Sequence, residues 1–461
     1  MFSYPVGVTL ELERPGTADA EVTNPASVTA SRVHDILSAH MLADGFDLVL
    51  DLRRSRGLDL VDARDGTVYL DMFGFFASSA LGMNHPALAA NARFRAELTR
   101  AALNKPSNSD VYTVAMARFV DTFARVLGDP ALPHLFFIDG GALAVENALK
   151  VAFDWKSRHN AMHGRPAELG TKVLHLTGAF HGRSGYTLSL TNTDPVKTER
   201  FPAFDWPRIE TPYLRPGVDI EVAEQRALAQ ARAAFTENPH DIACFIAEPI
   251  QGEGGDRHMR PDFLRRMQQL CHEHDALFIV DEVQTGVAMT GSTWAYQQLG
   301  LRPDVVAFGK KTQVCGIMAG GRVDEVPDNV FAVSSRLNST WGGNLADMVR
   351  ARRILEVIES EDLATRAQEL GALLLDRLRA LAGRHARLTD PRGRGLMCAV
   401  TLDSAELRDA VLAEVRERER VLFLGTGERG IRFRPPLTVT ADELERAVDA
   451  LDRVLTGMAD R

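Results

Sequence analysis

Cysteine is scarce: the 461 residues hold four, at Cys244, Cys271, Cys315 and Cys398, with no Cys-x-x-Cys pair. That argues against a disulfide framework or a thiolate zinc site. The strand-like apolar surroundings of Cys244 and Cys398 read as reduced core positions. No apolar run approaches the roughly 18 residues of a membrane span. The opening Met1-Phe2-Ser3-Tyr4-Pro5 lacks the basic and apolar regions of a secretory leader. Positive charge is not in excess: 53 Lys and Arg stand against 62 Asp and Glu, a net charge of −9. Neither nucleic acid nor an anionic membrane is therefore expected as a partner. The one histidine cluster, His272-Glu273-His274, lacks the spacing of a metal site on one helical face. Internal repeats, low-complexity tracts, a Gly-x-Gly-x-x-Gly fingerprint and a Walker loop are also missing. What is present is a chain of 45% hydrophobic and 25% charged residues, a globular rather than disordered composition. Its length allows two or three domains, or a large and a small one, with ample core. A cytoplasmic enzyme is expected.

Residues 1–30, rich in Pro, Thr and Ala, read as a loose arm. Ser31 to Ala43 has helical spacing (Val33, Ile36, Leu37, Met41), and 48–52, 59–62 and 67–71 look like short strands of a meander. From about residue 115, apolar strand runs (135–138, 172–176, 242–247, 276–280, 304–308) alternate with helical segments (144–155, 222–235, 260–274 among them). That alternation predicts an α/β fold with a mostly parallel sheet covered on both faces. After Asn344, 345–361 and 364–384 read as helices, 395–402 and 431–434 as strands, and 441–455 as a last amphipathic helix. The expected division is a large domain over 91–345 and a smaller α+β domain built from both chain ends, 1–90 with the arm and 346–461.

In such sheets ligands bind at the carboxyl ends of parallel strands. Phe278-Ile279-Val280-Asp281 delivers an aspartate there, and Val305 to Phe308, then Gly309, deliver Lys310. An acid and an amine side by side suit pyridoxal 5'-phosphate (PLP), which takes a lysine for its covalent link and a carboxylate for its pyridinium nitrogen. The plain alternative is a salt bridge between two strand ends. Asp139-Gly140-Gly141-Ala142, between a strand and a helix, leaves N–H groups free for an anion, or is simply a tight connection. In Phe180-His181-Gly182-Arg183 the aromatic suits a ring face and the arginine a carboxylate, against core packing and a surface ion pair. Glu248 and Glu253, across a Gly-rich loop, suit acid–base work or bracing of that loop. Thr340-Trp341-Gly342-Gly343-Asn344 is a polar loop suited to a phosphate, or a surface turn.

Taken together and in this order, the segments resemble the class III, fold-type I PLP aminotransferases over roughly residues 65 to 440. The resemblance implies roles residue by residue. Lys310 falls on the Schiff-base lysine, Asp281 on the pyridinium partner, Gly141 and Ala142 on the phosphate turn, and Phe180 on the stacking aromatic. Gln284 falls near the cofactor's phenolic oxygen, and Glu248 is counted with the cofactor-binding set. Thr340 falls on a threonine that reaches the phosphate across a dimer interface, which implies a homodimer with shared sites. Among members, the likeness is greatest to those that move the ε-amino group of L-lysine to 2-oxoglutarate. It is carried by 104–112, 184–192, 309–316 and 338–344. The implied products are L-glutamate and 2-aminoadipate 6-semialdehyde, which cyclises to piperideine-6-carboxylate. Another ω-aminotransferase of this fold, acting on ornithine, 4-aminobutyrate or a diamine, is the alternative. One departure is Ala288, where the family carries a flexible glycine after Gln-Thr.

The substrate-side candidates are Arg183, Glu253, Gln284, Asn338 and Arg434. Arg183 is expected to hold the distal carboxylate of either substrate and Arg434 the near carboxylate of 2-oxoglutarate. Glu253 is expected to pair with Arg434 while lysine reacts and to swing aside for the keto acid. Lys311 is expected to face away from the site, because successive strand side chains alternate.

Overall fold

The computed structural model describes residues 28–459; most of the expected arm lies outside them. Strands β1 (Asp59–Val61) and β2 (Val68–Asp71) pair antiparallel. The strand expected at 48–52 is reduced to one bridge, Leu50 to Asp62. Asp51 accepts from the backbone N–H groups of Arg53 and Arg54, and this turns the chain out of extension. The helix expected over 31–43 is a 3-10 turn, Ala30–Arg32, followed by Val33–Ser38, and it buries none of its residues. With no apolar face docked, little holds a longer helix together.

The central sheet is built from β3 (His134–Ile138), β4 (Lys172–Leu176), β5 (Arg208–Ile209) and β6 (Ile242–Ala247). A hairpin, β7 (Ile250–Gln251) and β8 (Arg257–His258), then interrupts it. β9 (Leu277–Asp281), β10 (Val305–Phe308) and β11 (Cys315–Ala319) complete seven strands in the order β3-β11-β10-β9-β6-β4-β5. From β10 to β5 every pairing is parallel. β11 runs antiparallel to both β10 and β3. The sequence pattern did not announce β11. It follows β10 after a short connection with no α-helix between, and so short a return can only be antiparallel.

β6 and β9 are buried along their whole length, which is why they read as unbroken apolar runs. The helix Gly141–Met162 covers one face, where Val145, Leu149 and Trp155 meet Val173, Ile246, Ile279 and Ala307. On the other face Phe245, Phe278 and Phe308 join Phe263 and Met267 of the helix Pro261–Glu273 and Leu228 of Ile220–Glu237. The later chain adds β12 (Leu388–Arg394), β13 (Met397–Leu402), β14 (Val421–Leu422), β15 (Leu424–Thr426) and β16 (Gly430–Phe433). Four of these form the antiparallel sheet β12-β13-β16-β15. β14 instead pairs parallel with β2, joining the two ends of the chain. The helices Leu345–Ser360, Leu363–Arg384 and Ala441–Ala459 lie where the periodicity put them. Among the described residues no helix is long and apolar enough to cross a membrane.

Candidate active site

A cavity of ≈ 490 Å³ gathers Lys310, Asp281, Gly141, Ala142, Phe180, Arg183, Glu248, Glu253 and Gln284. These are nine of the twelve residues expected at the site; Asn338, Thr340 and Arg434 do not line it.

Lys310 does not end a strand. It opens a 3-10 turn, Lys310–Thr312, in the left-handed region (φ 56°), a conformation that costs a non-glycine residue about 1–3 kcal/mol. This turn, rather than strand alternation, separates the two lysines. Half-buried Lys310 donates from Nζ to the Phe76 carbonyl at 2.7 Å. Lys311, fully buried, donates to the carbonyls of Ala77 (3.1 Å) and Gln284 (3.2 Å). Burial, then the charges of Arg432 and Arg434, pull the Lys310 amine down to about 8. Burial, then the neighbouring Lys310 charge, takes Lys311 well below the lysine range.

Asp281 closes β9 and is 4% exposed. One carboxylate oxygen accepts from the Val283 N–H (3.0 Å), and the other is hydrogen-bonded to His181 Nδ1 (2.7 Å). Burial works against the imidazolium of His181. The Asp281 hydrogen bond and charge, with the Glu248 charge, outweigh it and raise the imidazole above its ordinary value. Sequence reasoning passed over His181, whose one signal was its place beside Phe180. Glu248 braces loops: Oε1 accepts from the Phe180 N–H and Oε2 from the Gly252 N–H, each at 3.0 Å. Burial lifts its carboxyl to about 7. A Cβ at Gly252 would stand 2.5 Å from the Gln284 amide, so a side chain there would displace Gln284.

The helix Gly141–Met162 begins without a side-chain cap after Gly140 (φ 97°), so its first N–H groups stay available where Gly141 and Ala142 line the cavity. Exposed Arg183 lies at the cavity wall, its guanidinium carbon 5.9 Å from the Phe180 ring centroid.

The expected Glu253–Arg434 pair is not formed. Glu253 Oε2 meets Arg432 at 3.0 Å and Oε1 meets Lys197 at 2.6 Å. Burial favours the protonated acid, but Arg432 and Lys197 outweigh it and hold the Glu253 carboxyl below its usual value. Arg434, 1% exposed, is committed to Asp256 (2.5 Å) and to Gln284 Oε1 (3.0 Å). Arg432 and Arg434 are spaced to share one face of an extended strand, so alternation cannot choose between them. Depth does: Arg434 sits on a carboxylate with no exposure, and Arg432 is left to line the cavity. Lys197 carried no sequence signal. Asn338 and Thr340 are exposed on a loop held by Asn108 (to the Gly343 carbonyl, 2.8 Å) and Ser109 (to the Ser339 carbonyl, 2.5 Å).

The set of groups fits PLP. There is an amine, a buried carboxylate able to hold a pyridinium proton, an uncapped helix N-terminus for a phosphate and an aromatic ring in the wall. The family model "Aminotransferase class-III" matches residues 42–455. The L-lysine-epsilon aminotransferase of Mycobacterium tuberculosis (H37Rv) is 66% identical over 431 residues, 93% of this chain and 96% of its own length. The L-lysine-epsilon aminotransferase of Streptomyces clavuligerus is 56% identical over 449 residues, 96% and 98% of the two chains. Among solved structures, lysine aminotransferase from M. tuberculosis in the internal aldimine form matches with a TM-score of 0.92 at 65% identity, covering 93% of this chain and 100% of that one.

Proposed function

The chain belongs to the class III aminotransferases, and on that premise we propose the reaction and the residue roles that follow. It is a PLP enzyme that moves the ε-amino group of L-lysine to 2-oxoglutarate, giving L-glutamate and 2-aminoadipate 6-semialdehyde, which closes to piperideine-6-carboxylate. The observation that carries the choice of substrates is Glu253 held between Arg432 and Lys197 at the cavity wall.

When bound, the cofactor supplies an electrophilic carbon and a ring that takes up the electron pair of a broken substrate C–H bond. Lys310 holds it and, once freed, moves the proton at the reacting carbon; an amine near 8 keeps a working neutral fraction at neutral pH. Asp281 keeps the ring nitrogen protonated through a charge-assisted hydrogen bond, and His181 fixes that carboxylate from behind. The N–H groups of Gly141 and Ala142 hold the phosphate. Phe180, on a loop that Glu248 braces, would cover the ring, and Gln284 would serve the phenolic oxygen.

Lysine must present its ε end to the cofactor with its carboxylate far away, whereas 2-oxoglutarate must place a carboxylate close by. Arg183 takes the distal carboxylate of each, and Arg432, in place of Arg434, takes the near one. With Glu253 on Arg432, that guanidinium does not invite lysine's own α-carboxylate inward. Leaving a buried charge unpaired costs about 3–5 kcal/mol. Glu253→Ala is therefore expected to keep some reaction with 2-oxoglutarate but to lose its ε-over-α preference by about 10²-fold or more. Products from ε- and α-¹⁵N-lysine give the ratio directly, and unchanged regiochemistry would falsify the gate.

Asn338 and Thr340, exposed on this chain, supply the neighbouring subunit's site in a C₂ homodimer. Active enzyme is expected to sediment as a dimer. An active monomer rules out the shared site.

A further inference from the structure

The turn between β7 and β8 belongs to two cavities. Glu253 lines the active site, and its neighbours Gly254 and Gly255 line a second cavity of ≈ 460 Å³ against the β12-β13-β16-β15 sheet. Four guanidinium groups, from Arg215, Arg257, Arg392 and Arg429, line that second cavity against two carboxylates, Asp390 and Glu428. Asp390 is taken by Arg392 at 3.1 Å. Arg215, Arg257 and Arg429 make no ion pair among the described residues. Arg215 donates to the Tyr213 hydroxyl (2.7 Å) and Arg429 to the Asp403 carbonyl (2.9 Å). Arg215 and Arg257 both lie over the Tyr213 ring, 4.7 and 4.8 Å from its centroid. One aromatic ring thus holds two like charges, neither of them in an ion pair among the described residues, in a cavity whose four guanidinium groups outnumber its two carboxylates. Such an arrangement repels itself until an anion enters.

We propose that this cavity binds a small polyanion, a phosphate or polycarboxylate, and that its occupation holds the Glu253 gate shut. The link is atomic. Arg392 donates to the carbonyls of Gly255 (2.7 Å) and Asp256 (3.0 Å). The Gly427 N–H donates to the Glu253 carbonyl (3.0 Å) and the Thr426 hydroxyl to the Gly252 carbonyl (2.6 Å). β16, in the same sheet, presents Arg432. An anion bridging Arg257 to Arg392 and Arg429 clamps the hairpin turn onto the sheet that carries Arg432, which favours the Glu253–Arg432 pair. 2-Oxoglutarate, which needs that pair opened, then binds less tightly, and by reciprocity weakens the anion's binding in turn. The site stands on the cavity; the coupling rests on the gate proposed above.

Calorimetric titration of PLP-loaded enzyme with inorganic pyrophosphate and, separately, tricarballylate tests the site. We expect one ion bound per chain. Affinity should fall at least about tenfold in Arg215→Gln/Arg257→Gln and stay unchanged in Arg183→Gln, which removes an active-site cation instead. The tighter of the two ligands decides between phosphate and carboxylate chemistry. At saturating pyrophosphate the KM for 2-oxoglutarate should rise about fivefold or more, with the lysine half-reaction unmoved. No binding heat, or equal affinity in the double variant, overturns the site. If Glu253→Ala alters regiochemistry yet pyrophosphate leaves KM unmoved, the coupling is overturned. If Glu253→Ala leaves regiochemistry intact, the gate fails and binding still judges the site.

Discussion

Lys310→Ala is expected to lose turnover by about 10⁴-fold or more, because cofactor attachment and proton transfer leave together, and positioned acid–base groups alone are worth about 10²–10⁴. The protein should still fold and take up PLP without a reducible link. Lys311→Ala should keep the linked cofactor's absorbance and show its loss as stability. Its amine nitrogen ties the segment at Ala77 to the one at Gln284, and buried carbonyls left without a donor cost about 1–3 kcal/mol each. The pH dependence separates the two lysines further. The Lys310 amine is lowered from 10.5 to about 8, so protonation disables it only as pH falls through 8. The rate at which apo-protein captures PLP should therefore be half-maximal near pH 8, far below an ordinary lysine. A borohydride-trapped peptide labelled at Lys311 would overturn the assignment.

Asp281→Asn is expected to bind PLP, to keep its substrate affinities and to lose about 10²-fold in kcat. A hydrogen bond to a charged group is worth about 1.5–3 kcal/mol. The ring nitrogen's proton matters most where charge flows into the ring, so the loss belongs to the transition state. The His181 contact adds a readout independent of rate. Without the Asp281 charge, burial governs the imidazole, and its titration, followed by nitrogen NMR, should move downward from its raised value. Near-normal turnover with an unmoved His181 would remove both roles.

Much of this site was legible because the physics that places it is local and repetitive. β9 and β10 are buried on both faces, so each reads as an unbroken apolar run whose end marks the ligand-binding edge of the sheet. Asp281 lies at the end of β9, and the uncapped turn at Gly140 follows the end of β3 in the same way. What escaped depends on distance through space. Arg432 and Arg434 have the same strand parity, and only the depth of Asp256 tells them apart. His181 gains its meaning from Asp281, remote in sequence. Lys310 leaves its strand through a turn whose left-handed backbone no side-chain pattern announces. Asn338 and Thr340 lie exposed and away from the cavity, and the role proposed for them rests on a second chain.

β11 also has a consequence in time. Among the described residues β3, with Leu135-Phe136-Phe137-Ile138 within it, pairs with no strand except β11. On a ribosome adding about 5–20 residues per second, its partner emerges roughly ten to thirty seconds later. Through that interval an apolar strand stands with both edges open, the kind of surface that seeds wrong pairings between nascent chains. The reversed strand that completes the sheet thus leaves its sealing to almost the last third of synthesis. Slower elongation before residue 315 would lengthen the exposure, and yield of folded protein should fall with it.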